Sequence, residues 1–88
     1  MLRREVKIVN KLGLHARASS RLTQMAGRFA CEVWLSKENR RVNAKSIMGV
    51  MLLAAACDSV IIIETNGKDE EEAMNALVDL IAQGFGEE

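Results

Sequence analysis

The stretch Val60-Ile61-Ile62-Ile63-Glu64-Thr65-Asn66-Gly67-Lys68-Asp69-Glu70-Glu71-Glu72-Ala73-Met74-Asn75-Ala76-Leu77-Val78-Asp79-Leu80-Ile81 decides the fold. Its β-branched opening predicts a buried strand over Val60–Thr65. Asn66-Gly67 is a turn signal. Asp69 with Glu72 three positions later resembles a capping box, and Glu70 and Glu71 suit the positive end of a helix. Met74, Leu77, Val78 and Ile81 then recur at i, i+3, i+4 and i+7, so a helix follows and Gly84 closes it. A strand that hands over to a helix through a tight turn is a unit of a mixed α and β architecture.

The same two rhythms recur upstream. Glu5–Val9 alternates, which places Val6 and Ile8 on one strand face. Asn10-Lys11-Leu12-Gly13 breaks the alternation as a loop. From Ala16 to Ala26 the spacing becomes helical, with Ala18, Leu22 and Met25 inward, Arg17, Arg21 and Gln24 outward, and Gly27 as the stop. Cys31, Val33 and Leu35 alternate with Glu32, Trp34 and Ser36 in a second strand. Lys37-Glu38-Asn39 turns the chain into a short third strand, Arg40–Asn43. Lys45–Leu53 reads as a helix with Ser46 as its N-cap. The order is therefore β-α-β-β-α-β-α. It predicts an α+β fold: a two-layer, open-faced β-sandwich with a four-stranded antiparallel sheet and three helices on one face.

The chain has 88 residues, which we read as one domain over 1–88. That length excludes two independent cores or a large α/β enzyme fold. The apolar fraction is 49%, which suits a packed core. The 12 basic and 12 acidic residues cancel, and aromatics are 3%, which argues against a nucleic-acid binder. The balance hides a division: residues 1–45 carry 11 basic and 3 acidic side chains, whereas residues 46–88 carry 1 and 9. The first half can thus offer a positive face to phosphate or to an acidic protein. Cys31 and Cys57 stand far apart in apolar surroundings and are expected as buried thiols, which suits a cytoplasmic protein. One histidine and no CxxC give no metal site. No apolar run is long enough for membrane insertion, and nothing resembles a secretory leader.

His15 is the only histidine. A lone histidine is structural by default, but this one follows a loop with Gly13 and immediately precedes a helix. The first amides of a helix have no internal partner and attract anions. A phosphoryl group on His15 can accept hydrogen bonds from the Ala16 and Arg17 amides, and the Arg17 side chain can add a charge-assisted bond worth about 1.5–3 kcal/mol. Nδ1, the ring nitrogen nearer the backbone, lies closer to those amides than Nε2. No recognisable nucleophile elbow accompanies Ser19, Ser20 or Asp58, and there is no glycine-rich nucleotide loop.

Asn10-Lys11-Leu12-Gly13-Leu14-His15-Ala16-Arg17-Ala18 resembles the active-site loop of the HPr family, the histidine phosphocarriers of the phosphoenolpyruvate-dependent phosphotransferase system. Lys45-Ser46-Ile47-Met48-Gly49-Val50-Met51 resembles the regulatory-serine segment of the same family. The loop and the ending Gly84-Phe85-Gly86-Glu87-Glu88 lean toward proteobacterial members, including the nitrogen-branch form called NPr. The resemblance implies that phosphorylated enzyme I gives its phosphoryl group to Nδ1 of His15, which passes it to an IIA-type domain for sugar uptake or nitrogen or carbon regulation. It implies no cofactor, and a phosphoryl-transfer intermediate rather than a stand-alone turnover enzyme. It also raises regulatory phosphorylation of Ser46 by an HPr kinase/phosphorylase. Many members carry Thr or Ser at position 16 and Pro at 18; here both are Ala, and neither departure touches His15 or Arg17.

Val50 and Leu53 can serve as the inward pair of the second helix. That leaves Ile47, Met48 and Met51 outward as a docking patch, rimmed by Arg17, Arg21, Lys45 and Arg28 and suited to several partners. We expect a monomer. The alternative function is a small α+β interaction or ligand-sensing module that works without phosphoryl transfer.

Overall fold

The β-branched run forms β4 (Val60–Asn66), and it lies inside the sheet with a neighbour on each side. The computed structural model describes Met1–Glu87, so Glu88 lies outside the described residues. Around β4 stand β1 (Leu2–Lys7), β2 (Glu32–Lys37) and β3 (Arg40–Asn43), in the order β1-β4-β2-β3, with every pair antiparallel. Three helices connect and cover them: α1 (Ala16–Ala26), α2 (Ile47–Leu52) and α3 (Glu70–Ala82). The chain is two interlocked split β-α-β units. β4 lies between β1 and β2, and β2 lies between β3 and β4. The expected α+β class and four-stranded antiparallel sheet are what the chain adopts.

Register explains which side the helices take. Ile61 and Ile63 of β4 and Val33 and Leu35 of β2 are buried, whereas Ile62 and Trp34 between them are half-exposed. Each buried aliphatic contributes about 1.5–3 kcal/mol. The helices bring Ala18, Leu22, Val50, Leu77 and Ile81 to the same cluster. On the opposite face Arg41 lies 4.2 Å over the Trp34 ring and pairs with Glu64 at 3.1 Å.

Three local expectations are corrected. The first strand runs Leu2–Lys7 instead of Glu5–Val9. Ile8 is nonetheless fully buried, because its backbone bonds to Asp58 and Ser59 just beyond the ladder. Asp69 makes no side-chain cap with its own helix. Its carboxylate instead accepts the Ala30 and Cys31 amides at 2.8 and 2.9 Å, tying the start of α3 to the start of β2. The local end of α3 is served by Glu70, which accepts the Gly67 amide at 3.0 Å. Cys31 is buried as expected, but Cys57 is only half-buried. Gly84, left-handed and just past the cap of α3, closes that helix as expected, and a 3-10 turn follows over Gly84–Gly86, with Phe85 buried.

Candidate functional site

The loop before α1 is braced from behind. Gly13 has φ +66, and a Cβ there would stand 2.8 Å from the Cα of Ala56. Only glycine accepts both that backbone region and that approach. Leu14 is buried, and its amide donates to the Ala55 carbonyl at 2.8 Å. Buried Ser19 donates to the Leu14 carbonyl at 3.1 Å. These contacts set His15 as the extended N-cap residue of α1.

At that position both ring nitrogens are engaged. Nδ1 accepts the backbone amide of Arg17 at 3.3 Å. Nε2 stands 2.6 Å from Oε2 of Glu87. The other oxygen of Glu87 accepts a bond from Nδ2 of buried Asn10 at 3.0 Å, and the same Nδ2 donates to the Gly13 carbonyl at 2.8 Å. Partial burial pushes the Glu87 carboxyl up. Hydrogen bonds from Asn10 and His15 and the positive charge of Arg17 act the other way, and the carboxyl lies below its ordinary value. Glu87 is therefore a carboxylate and can only accept. Nε2 is then the donor of the 2.6 Å contact, and the lone pair sits on Nδ1, beside the helix start.

The remaining expected residues fall into two places. Ala16 and Arg17 are exposed at the first turn, next to the ring. Arg21, one turn along, is not free at the rim: its Nη1 donates to the Phe85 carbonyl. Lys45 is likewise engaged, donating to the Phe29 carbonyl at 2.7 Å just past the end of α1. That contact, with Leu14 on Ala55 at the other end, shows that α2 runs back along α1. Ser46, the N-cap of α2, thus lies at the end of α1 away from His15; its Oγ accepts the Gly49 amide at 3.1 Å. Val50 and Leu53 turn inward, and Ile47, Met48 and Met51 outward, with Met48 67% exposed. The structure brings His15, Ala16 and Arg17 together, and separates them from Lys45 and Ser46.

Asn10 and Glu87 were not foreseen as site residues. Asn10 reads in sequence as an ordinary turn residue. Glu87 arrives through a contact spanning 72 positions, which no local pattern reports. The one signal was Gly84-Phe85-Gly86, a lone aromatic between glycines, which marks an unusual backbone holding a buried anchor. Among the described residues no cluster of three or more His, Cys, Asp or Glu offers a metal site, and no helix is long and apolar enough to cross a membrane.

A helix-start imidazole on an open-faced α+β scaffold is the layout of a small group carrier. Residues 2–83 match the family model described as the PTS HPr component phosphorylation site. The phosphocarrier protein HPr of Cupriavidus necator is 60% identical over 87 residues, 99% of this chain and 98% of that one. The phosphocarrier protein HPr of Neisseria meningitidis is 60% identical over 87 residues, with 99% and 98% covered. A crystal structure of HPr-C-His from Thermoanaerobacter tengcongensis superposes with a TM-score of 0.96 at 48% identity, covering 100% of this chain and 99% of that one. The chain belongs to the HPr family, the phosphocarriers of the phosphotransferase system.

Proposed function

We propose that Nδ1 of His15 takes a phosphoryl group from phosphorylated enzyme I and yields it to an IIA-type domain. The observation that carries this is the Nδ1 lone pair facing the Arg17 amide at the start of α1. In the first transfer the Nδ1 pair forms a P–N bond, and the donor's own P–N bond breaks with its electrons returning to the donor. The phosphoryl oxygens then meet the first-turn amides and the Arg17 side chain. Transfer in either direction needs docking and in-line approach more than a deep pocket. Ile47, Met48 and Met51 supply the docking patch, and the excess of cations in the first half steers acidic partners. The onward route is sugar uptake or nitrogen or carbon regulation, in the cytoplasm and as a monomer. Ser46 is a modification site for an HPr kinase/phosphorylase. A phosphate there adds about −1.5 to −2 charge beside the patch and repels an acidic donor.

Incubation with enzyme I, magnesium and phosphoenolpyruvate, followed by intact mass, tests the reading. The chain is expected to gain one phosphoryl group, labile in acid and stable in base, and His15→Ala to gain none. Met48→Glu is expected to fold normally and charge roughly tenfold more slowly, since a like charge now meets the donor. No mass gain in the unaltered chain, or a gain that survives His15→Ala, refutes it.

A further inference from the structure

Beyond α3 the backbone takes three successive left-handed residues: Gly84 at φ 64, Phe85 at φ 58 and Gly86 at φ 75. A bulky side chain resists that region unless its surroundings hold it there. Phe85 is held twice, by burial of its ring in the core and by Arg21, which donates to its carbonyl. Two residues later the chain delivers Glu87 onto His15. Asn10, fixed by its own bond to Gly13, grips the second carboxylate oxygen. Three separated parts of the chain thus converge on one ring edge. The groove around it is lined by Lys11, Arg17 and Arg21, and Glu87 is its one acid among the described residues.

We propose that Glu87 is a positioning residue for phosphoryl transfer, holding the His15 proton on Nε2 so that Nδ1 presents its lone pair at the helix start. The proposal deepens the carrier reading above and rests on it. A neutral imidazole has one donor nitrogen and one acceptor nitrogen. A carboxylate 2.6 Å from Nε2 tolerates only the donor there, so it selects the tautomer that can attack through Nδ1. On attack the Nδ1 pair becomes the new P–N bond, the donor's P–N pair returns to the donor, and the proton stays on Nε2. The ring gains a positive charge in the company of Lys11, Arg17 and Arg21, and Glu87 offsets it. On release the P–N electrons return to Nδ1, and the same tautomer is restored without exchange of a proton with solvent.

The sharpest test uses the fixed direction of Asn10. Because Asn10 donates through Nδ2, the oxygen of a Glu87→Gln amide must face Asn10, and its NH2 group must face the ring. Nε2 then has to accept, and the proton moves to Nδ1 at the expense of the bond from the Arg17 amide. Nitrogen-15 NMR of His15 is expected to show Nε2–H in the unaltered chain, the reverse in Glu87→Gln and a mixture in Glu87→Ala. The rate of charging by phosphorylated enzyme I should fall about 10-fold to 100-fold in Glu87→Gln, and less in Glu87→Ala. A purely structural role predicts that removal of the side chain does more harm than the near-isosteric amide. An unchanged tautomer in Glu87→Gln overturns the proposal whatever the rate does, and so does a reversed tautomer with an unchanged rate. If the unaltered chain takes up no phosphoryl group at all, it is the carrier reading that fails; the NMR arm still reads the tautomer.

Discussion

The starts of α1 and α2 use the same backbone amides in opposite circumstances. His15 caps α1 through Nδ1, and Ser46 caps α2 through Oγ. Behind His15 the loop is clamped by Gly13 against the α2–β4 connection, and its ring edge is held by Glu87 and Asn10. Ser46 is exposed, with Gly49 one turn on in ordinary contact with its surroundings. The difference teaches what each end is fit for. On the carrier reading proposed above, a nucleophile that must meet phosphorus in line needs a ring whose position and proton are both fixed. An exposed hydroxyl with a single amide bond is open to whatever acts on it from solvent.

Adding one methyl group to the glycine near each start tests that contrast most severely. Gly13→Ala meets both the left-handed backbone, about 1–2 kcal/mol, and a clash with Ala55 and Ala56 typical of overpacking, about 1–3 kcal/mol. Gly49→Ala meets no atom closer than 3.4 Å and has an ordinary helical φ, so helix propensity should raise stability by up to about 1 kcal/mol. Denaturant unfolding of the two variants should therefore move in opposite directions; movement in the same direction would mean that the clamp behind His15 is not rigid.

Ser46→Ala comes next. It removes the single side-chain bond to the Gly49 amide and should cost about 0.5–2 kcal/mol, with charging of His15 unchanged because the residue lies at the far end of α1. A loss of charging with the cap would tie the two starts together and break the comparison.

The mildest effect is one of acidity. The Ala30 amide, with the Cys31 amide, holds the Asp69 carboxyl below its ordinary value of 3.8, against a smaller opposing effect of burial. A carboxyl depressed in the folded chain stabilises it above its unfolded value, and that support is lost as pH falls through the folded value. Melting temperature should consequently drop below pH 3.8, and Asp69→Asn should flatten the drop. An identical acid profile in the variant would remove Asp69 from the account.

Much of the fold was legible because its signals are periodic and near in sequence. α1 occupies Ala16–Ala26 and β3 occupies Arg40–Asn43, as spacing predicted. The juxtaposition of His15 and Arg17 at the start of α1 was legible for the same reason: a loop glycine, a ring and a helix start lie within five positions. What stayed hidden depends on parts that meet only after folding. Asp69 carries a capping signature, yet its carboxylate serves β2, because the sheet brings the Ala30 and Cys31 amides within reach. Ile8 reads as a strand residue and is buried where the ladder has already ended. Glu87 sits in a segment whose sequence says only that the backbone is unusual. Burial of Phe85 decides where that segment points.

The single tryptophan, Trp34, packs beneath Arg41 and opposite Glu64 on the uncovered side of the sheet, with β-structure between it and the imidazole. The molecule thereby contains an optical gauge insulated from its chemistry. Emission from that indole is expected to respond when the sheet comes apart and to stay quiet while the helical layer changes its cargo, so loss of structure and loss of transfer should be readable in one cuvette without confusing the two.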